Sequence, residues 1–454
     1  MKQPLYQNLY LQVRGEIYSG RLKAGMRLPS IRQMTKDSAV SRTTVETAYE
    51  QLCADGLVTC VPQSGYYVNE IPQRHPEVVS MQTEKVETPE EKTPVRFDFS
   101  GHTLDEESFD FDIWRRLSRA VMSQNEYFFG YGETQGEYAL RFQIAKYLSA
   151  GRGVYACPEN VVISAGIQSL LSILCEMFDK TQMQIAFEDP GFRKGFRIFD
   201  DHSYQSVFIP GGSTGIDLQA LEKSGANMLY LSPSHSFPYG VSMPHQRRIA
   251  LMRWARERDA IVFEDDYDGE LRYSGKPLAT LSSLDTDGRV IYLGTFSKLL
   301  PPSIRISYAV LPDRLLLLYR KIAEQYNQTS STMEQLTMAR FMEEGRLERQ
   351  VRRLRRIYAR KNARIESAFV EYFGERAVVR PNDTGLHVVV SLRGAQDAPR
   401  LCEQARQAGI HVVPLSSYQM SKHSEATADF YFSSAGISEQ DIIPAIQQLS
   451  RIWR

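Results

Sequence analysis

The residues best suited to chemistry are concentrated where a buried strand ends, in the segment VIYLGTFSKLLPPSIRI of residues 290–306. Its apolar first part predicts a short strand, and Lys298 follows shortly after. Because burial disfavours a charged ammonium, a lysine here is suited to act as a neutral amine that condenses with a carbonyl compound. Thr295 and Ser297 offer hydroxyls, and Arg305 offers a planar fork that fits a phosphate dianion. The segment therefore predicts a pocket for a phosphorylated carbonyl cofactor.

A second strand end supplies the other half of such a pocket. Residues 260–267, AIVFEDDY, form an apolar run that ends in carboxylates and a tyrosine. A carboxylate against a pyridine nitrogen keeps that nitrogen protonated and makes the ring an electron sink, and a phenol can hydrogen-bond the 3'-oxygen of the ring. The two segments together predict a site for pyridoxal 5'-phosphate (PLP). The competing interpretation is a lysine on a solvated turn after an ordinary strand.

Length and composition set the class of protein. The chain has 454 residues, which exceeds one ordinary core and predicts two or more domains. It is 42% hydrophobic and 24% charged with a formal net charge of zero, so any nucleic-acid partner must bind a local patch. Five cysteines without a C-x-x-C pair indicate free thiols and no metal site. With no signal-type start and no long apolar stretch, we expect a cytoplasmic protein without a membrane partner.

The first seventy residues predict a winged helix-turn-helix. One helix is expected over residues 5–18, where apolar residues recur four apart. Ser30 and Ser41 are expected to cap two further helices. The segment LVTCVPQSGYYV, residues 57–68, reads as two short strands around a turn.

Charge in this region favours DNA as the partner. Residues 21–42 carry six basic side chains against the single acid Asp37. The segment LPSIRQMTKDSAVSRTTVETAYEQLCADGLV resembles the GntR family of bacterial repressors. That resemblance implies double-stranded DNA as the partner, read by the second and third helices and by the wing tip. The predicted DNA-contacting residues are Arg27, Arg32, Ser41, Arg42, Thr43, Thr44, Gln63 and Gly65.

The remainder of the chain predicts a linker and one large α/β domain. Residues 71–96 mix prolines with charges and lack an apolar period, which is typical of a linker between residues 1–70 and 97–454. From residue 97 short apolar strands alternate with amphipathic helices, so we expect a mainly parallel sheet between helices. Backbone amides of Gly166, Ile167 and Gln168 should open a helix and form a natural phosphate site. Phe192 follows a strand end, where it would stack on the pyridine ring or belong to the core.

As a whole the chain resembles the MocR/GabR family of regulators, in which a GntR-type head is fused to a fold-type I aminotransferase-like domain. The segments FEDDYDGELRY and YLGTFSKLLPPSIRISY carry the likeness. The resemblance implies a seven-stranded sheet, a small C-terminal α+β subdomain at about residues 330–454, and a head-to-tail homodimer. It implies a Schiff base at Lys298, Asp265 at the ring nitrogen with Glu264 and Asp266 as neighbouring alternatives, Tyr267 at the 3'-oxygen, Phe192 on the ring face, and Thr295, Ser297 and Arg305 at the phosphate.

Three departures from the aminotransferase pattern stand out. The motif N-P-T-G is replaced by F-P-Y-G at residues 237–240, and P-G-x-R-x-G by P-S-I-R-I-S at residues 302–307. Near the C-terminus the family has an arginine that forks the substrate carboxylate, whereas Tyr431 occupies that position here. A tyrosine offers one hydrogen bond and no charge. Either Arg193, Lys194 or Arg197 takes over that task, or the effector lacks the carboxylate.

The sequence supports three hypotheses of different classes. The leading one is a PLP-dependent transcription factor whose large domain senses an amine, an amino acid or PLP itself. The second is an active aminotransferase that carries a DNA-binding module, which the missing carboxylate arginine disfavours. The third is a DNA-binding scaffold with an empty pocket, which Lys298, Asp265 and Arg305 disfavour.

Overall fold

The computed structural model divides the chain into two compact units, Met1–Glu91 and Lys92–Arg454. The predicted linker lies outside the described residues except for residues 94–96. The structure describes residues 4–70, 94–101, 103–104, 108–273, 278–380, 384–394, 397–421 and 428–453.

Residues 4–70 of the N-terminal unit form three helices and an antiparallel hairpin, as a winged helix-turn-helix requires. These elements are α1 (Leu5–Tyr18), α2 (Ile31–Ser38), α3 (Arg42–Ala54), β1 (Val58–Val61) and β2 (Gly65–Val68). Both predicted caps are confirmed, since the hydroxyl of Ser30 accepts from the N–H of Gln33 and that of Ser41 from the N–H of Thr44, each at 3.2 Å. The buried face of α1 packs on α3 and closes a small core around Tyr49.

In the described residues of the C-terminal unit, helices separate most of the strands from one another along the chain. They are α4 (Phe111–Met122), α5 (Tyr138–Gly151), α6 (Ile167–Cys175), α7 (Arg193–Asp201), α8 (Leu218–Lys223), α9 (His245–Glu257), α10 (Leu281–Leu284), α11 (Asp313–Ala323), α12 (Thr332–Glu343), α13 (Arg346–Phe373), α14 (Ala398–Gln407) and α15 (Ile442–Ile452). The strands are β3 (Phe97–Asp98), β4 (Val161–Ser164), β5 (Gln184–Asp189), β6 (Gln205–Gly212), β7 (Gly215–Ile216), β8 (Met228–Leu231), β9 (Ile261–Asp265), β10 (Val290–Thr295), β11 (Ser307–Val310), β12 (Ala377–Val379), β13 (His387–Leu392), β14 (Ile410–His411), β15 (Val413–Pro414) and β16 (Asp429–Ser433).

Among the described residues the main sheet has eight strands, in the order β4-β11-β10-β9-β8-β5-β6-β7. Strands β10, β9, β8, β5 and β6 run parallel to one another, with Leu293 of β10 opposite Asp265 of β9. Parallel neighbours end at the same edge, so the residues after β5, β8, β9 and β10 gather there. The predicted count of seven was wrong by one strand, because β7 has only two residues and pairs with the glycine-rich end of β6. Such a strand leaves no apolar run to detect in a sequence.

A smaller sheet, in the order β12-β13-β16-β15, belongs to a second hydrophobic core. That core takes in β3, the second half of α13 from Ile365 onwards, and α15. Helix α12 and the first half of α13 instead pack on the core of the main sheet. The second core therefore begins further along the chain than the subdomain boundary expected near residue 330, and it includes the early strand β3.

The long apolar helix that a membrane crossing would require is not found in the described part of the chain.

Candidate cofactor site

Asp265 is the last residue of β9 and is buried at the shared strand edge. Burial raises the pKa of its carboxyl to about 7, against a hydrogen bond that acts to lower it. That bond comes from the Tyr230 hydroxyl, which donates to Oδ2 at 2.5 Å. Within the described residues the other oxygen, Oδ1, accepts no hydrogen bond, so Asp265 keeps one acceptor for a cationic ring nitrogen.

The two neighbouring carboxylates are engaged in structural contacts. Glu264 accepts from the backbone N–H groups of Leu281 and Ser282, each at 2.8 Å, at the start of α10. Asp266 accepts from the Tyr292 hydroxyl at 2.6 Å and forms a buried ion pair with Arg152. Of the three adjacent acids that the sequence left open, these contacts favour Asp265 for a cofactor.

Lys298 follows the end of β10 at the same edge. Its side chain is half-buried, and desolvation lowers the pKa of the amine. The carboxylates of Asp268 and Asp265 act in the opposite direction, while Lys194 lowers that pKa further. The Nζ atom forms no hydrogen bond or ion pair with any residue that the structure describes. Lys298 thus offers a free amine with an enlarged neutral fraction.

The predicted phosphate site is formed by a helix start and one arginine. Gly166, with φ of 86°, precedes α6, and no side chain caps that helix. The Arg305 guanidinium lies beside it, donating from Nη2 to the carbonyl of Ala165 at 3.1 Å. A Cβ added at Gly166 would lie 2.6 Å from Nη2, so only glycine leaves this space open. Uncapped amides at Ile167 and Gln168 next to a guanidinium fit an anion.

The hydroxyls near Lys298 form a small network. Thr295 donates from Oγ1 to Ser297 Oγ at 3.1 Å and accepts from the Ser297 N–H at 3.2 Å. It also accepts from the Ser307 hydroxyl at 2.9 Å. Sequence analysis missed Ser307, which becomes a neighbour only because β11 pairs antiparallel with β10.

Phe192 and Tyr230 form one wall of the site. Their rings stack with centroids 6.1 Å apart and planes 24° apart, and Tyr230 in turn bonds Asp265. Phe192 is half-buried and packs on the core of the sheet. Of the two alternatives that the sequence offered for Phe192, the contact with the core is present, and stacking on the pyridine ring stays a prediction. Tyr230 was missed, since only pairing of β8 with β9 brings it to Asp265.

Tyr267 follows Asp265 by two residues in the chain. Its hydroxyl is 3.0 Å from Nδ1 of His235, and the same Nδ1 is 2.8 Å from Oδ2 of Asp268. Burial raises the pKa of the Tyr267 phenol well above its usual value. The His235–Asp268 pair was not identified from the sequence, because the two residues lie on loops after different strands.

Tyr431 of β16 is buried in an aromatic cluster. Its ring stacks on His387, with centroids 4.4 Å apart, and meets the rings of Phe237 and Tyr418 edge-on. Arg193 and Lys194 are exposed at the start of α7. Arg193 donates to the Ser417 carbonyl at 2.9 Å, and the charge of Lys194 acts on Lys298.

In the N-terminal unit most of the predicted DNA-contacting residues lie either at the start of α3 or in the hairpin. Arg42 pairs with Glu46 at 2.9 Å, and the hydroxyls of Ser41 and Thr44 lie 2.8 Å apart. Arg27 lies over the wing, since a Cβ added at Gly65 would be 2.9 Å from its Nε. The exposed residues of the set are Arg27, Arg32, Ser41, Arg42, Thr43 and Gln63.

Comparison with known proteins defines the class as an aminotransferase-fold domain joined to a DNA-binding head. Residues 101–449 match the family model of class I and II aminotransferases, and residues 5–68 that of bacterial regulatory proteins of the gntR family. The structure of Pyrococcus horikoshii kynurenine aminotransferase, solved with PMP, aligns with a TM-score of 0.71 at 26% identity, covering 79% of this chain and 91% of that chain.

Two relatives extend over nearly the whole length. The chain is 37% identical to the uncharacterized HTH-type transcriptional regulator YdeL of Bacillus subtilis (strain 168), over 99% of this chain and 97% of YdeL. It is 30% identical to the probable rhizopine catabolism regulatory protein MocR of Rhizobium meliloti, over 98% of this chain and 93% of MocR. The chain belongs to the MocR/GabR-type transcriptional regulators, which confirms the family predicted from the sequence.

Proposed function

We propose that this regulator binds PLP at Lys298 and that an amine-bearing effector, or PLP itself, acting there changes how the head binds DNA. The observation that carries the proposal is the meeting of Lys298, Asp265 and Arg305 at one sheet edge, each with an atom free for a ligand. An effector shifts a regulator only by its different affinity for two states, and a covalent amine site provides such a difference.

The residues at this edge fit PLP. When bound, PLP supplies an electrophilic carbon for an amine and a ring that withdraws electrons. The free oxygen of Asp265 would hold the protonated ring nitrogen, and Phe192 would cover one ring face. Arg305, Thr295, Ser297 and the amides of Gly166, Ile167 and Gln168 would hold the phosphate. Lys298 would supply the amine, and its lowered pKa favours the nucleophilic form.

The effector side of the site favours a sensor over a working aminotransferase. Tyr431 is buried among aromatic rings, and its phenol carries no charge for a carboxylate. Burying a carboxylate without a cationic partner costs several kcal/mol, so Tyr431 alone holds an ordinary α-amino acid poorly, and a carboxylate there would need Arg193 or Lys194. We propose Arg193, Lys194 and Tyr431 as the residues that meet the effector. A catalytically active aminotransferase with a DNA module is the weaker alternative.

The proposal includes a homodimer that acts in the cytoplasm, where the DNA is. Several aromatic side chains of the C-terminal unit are exposed, among them Phe129 at 90%, Tyr131 at 81% and Tyr155 at 87%. Exposed aromatic rings at this density are typical of surfaces that another chain covers. A second copy in a head-to-tail arrangement would cover them and would present two DNA-binding heads to a two-part operator.

The experiment combines DNA binding with an amine titration. The full-length holoprotein selects duplexes from a randomised pool, and its affinity for the selected DNA is measured with and without added amines. We expect Arg42→Ala to weaken binding and Arg451→Ala, an exposed arginine of α15, to leave it unchanged. The effect of amines should vanish in Lys298→Ala. Steady turnover of amino acids with 2-oxoglutarate, together with DNA binding that ignores amines, would support the enzyme instead.

A further inference from the structure

A fully buried polar pair lies directly behind Tyr267. The side chains of His235 and Asp268 are each 1% exposed, and Nδ1 of His235 is 2.8 Å from Oδ2 of Asp268. The same Nδ1 is 3.0 Å from the Tyr267 hydroxyl. Two further atoms, Nε2 of His235 and Oδ1 of Asp268, are buried without a hydrogen-bond partner among the described residues. Buried polar groups are usually satisfied, so this arrangement calls for a function.

The hydrogen-bond directions follow from the chemistry of the three groups. A carboxylate only accepts hydrogen bonds, so the proton between His235 and Asp268 resides on Nδ1. A protonated Nδ1 cannot accept from the Tyr267 hydroxyl, which therefore faces Nδ1 as an acceptor. The hydroxyl's own proton then points elsewhere, and no other described residue accepts it.

Close backbone approaches hold the histidine ring in this position. A Cβ added at Gly385, where φ is 82°, would lie 2.1 Å from Cε1 of His235, and one added at Gly240 would lie 3.1 Å from Nε2. On its remaining side the ring meets His387, with centroids 4.9 Å apart. His387 donates its own Nε2–H to the Pro238 carbonyl at 2.9 Å.

We propose that His235 and Asp268 are positioning residues that turn the Tyr267 hydroxyl proton toward the 3'-oxygen of the bound cofactor. The inference rests on the proposed function, because it requires PLP at Lys298. The charged and titratable groups that face Tyr267 are Asp265, Asp266, Asp268, His235 and Tyr431. Those that act on Lys298 are Asp268, Lys194 and Asp265, and Lys298 acts in turn on His387.

The test uses the pH at which the visible spectrum of the PLP-loaded full-length protein changes. A hydrogen bond donated to the 3'-oxygen stabilises the anionic form of that oxygen. The anion then holds the proton of the Lys298–cofactor nitrogen less strongly, so this proton is lost at lower pH. Its loss should move the midpoint to higher pH by about half to one unit, which corresponds to one net hydrogen bond. We expect this shift in Tyr267→Phe and in His235→Leu. The control His245→Gln, a histidine at the exposed start of α9, should keep the wild-type midpoint.

A double-mutant cycle separates positioning from a general disturbance. If His235 acts through Tyr267, His235→Leu should add no shift in a protein that already carries Tyr267→Phe. Asp268→Asn keeps the volume and reverses the proton on Nδ1, so it tests the same role even if His235→Leu fails to fold. Because it also removes a carboxylate that acts on Lys298, its shift is compared with the shift of the same change in Tyr267→Phe. With Tyr267 present, the shift should lie at higher pH than in Tyr267→Phe. Equal shifts of His235→Leu with and without Tyr267, or no shift in either single variant, would overturn the inference. A wild-type protein without any PLP band would instead overturn the proposed function.

Discussion

The site around Lys298 has two sides of different construction. The cofactor side, made of Asp265, Lys298, Arg305 and Gly166, presents charged or backbone groups that suit the ring nitrogen, the carbonyl carbon and the phosphate of PLP. The aromatic side, made of Phe237, His387, Tyr418 and Tyr431, presents rings and phenols and contains neither lysine nor arginine. Under the proposed function, this difference means that holding a cofactor and binding an α-carboxylate are separable abilities in one fold. A chain with the first ability and without the second is suited to sensing rather than to turnover.

The largest effect should come from removing the amine on the cofactor side. Lys298→Ala removes the amine that is proposed to condense with PLP, so the visible absorbance band of the PLP-treated protein should disappear. Lys194→Ala is the matched control and should retain the band. An unchanged band in Lys298→Ala would place the cofactor elsewhere, and the comparison between the cofactor side and the aromatic side would then have no basis.

A smaller loss is expected when the acid at the ring nitrogen becomes an amide. Asp265→Asn keeps the shape but loses the charge, and a hydrogen bond to a charged group contributes about 1.5–3 kcal/mol, so PLP should bind about 10- to 100-fold more weakly. Equilibrium dialysis of PLP against the variant measures this. Wild-type affinity in Asp265→Asn would show that Asp265 does not hold the ring.

On the aromatic side we expect a substitution that increases the affinity for an amino acid. Tyr431→Arg introduces the fork that carboxylates favour, so phenylalanine should bind the holoprotein about tenfold more tightly, the equivalent of about 1.4 kcal/mol. The matched amine 2-phenylethylamine, which lacks the carboxylate, should bind no more tightly than it binds the wild type. Spectral titration of both probes gives the ratio, and Tyr418→Phe serves as the neutral control. If both probes gain equally, Tyr431 does not determine the class of effector.

The smallest effect is a change in how stability depends on pH in the protein without cofactor. Burial raises the pKa of Asp265 and of Glu264 to about 7 each. A raised carboxyl pKa favours the folded state below the unfolded value of about 4, and that stabilisation is lost as the pH rises through about 7. Asp265→Asn should therefore flatten the fall in unfolding free energy between about pH 4 and 7, as measured by urea denaturation. A slope identical to that of the wild type would mean that Asp265 is not buried as described.

Local pattern was enough for the cofactor side and not for its surroundings. Lys298 and Asp265 could be predicted to lie at one edge because each stands at the end of an apolar run, and parallel strands end at a common edge. Arg305 was predicted from its position seven residues after Lys298 and from its planar fork. Choosing Asp265 over its two neighbours needed the contacts of Glu264 with α10 and of Asp266 with Arg152, which lie far apart in the sequence.

The residues that contact the site residues from other elements could not be predicted from the sequence, because they come close only when distant parts of the chain pack together. Tyr230 meets Asp265 only through strand pairing, and His235 meets Asp268 only because two loops pack together. The start of the second core within α13 was also hidden, since one uninterrupted helix serves both cores and gives no break to detect.

The central claim, that Lys298 carries the cofactor, is tested most directly by chemical trapping. The full-length protein is incubated with PLP, reduced with borohydride and digested, and the modified peptide is identified by mass spectrometry. We predict a phosphopyridoxyl group on Lys298 in stoichiometric yield. A label on another lysine, or none on the peptide that contains Lys298, would contradict the account.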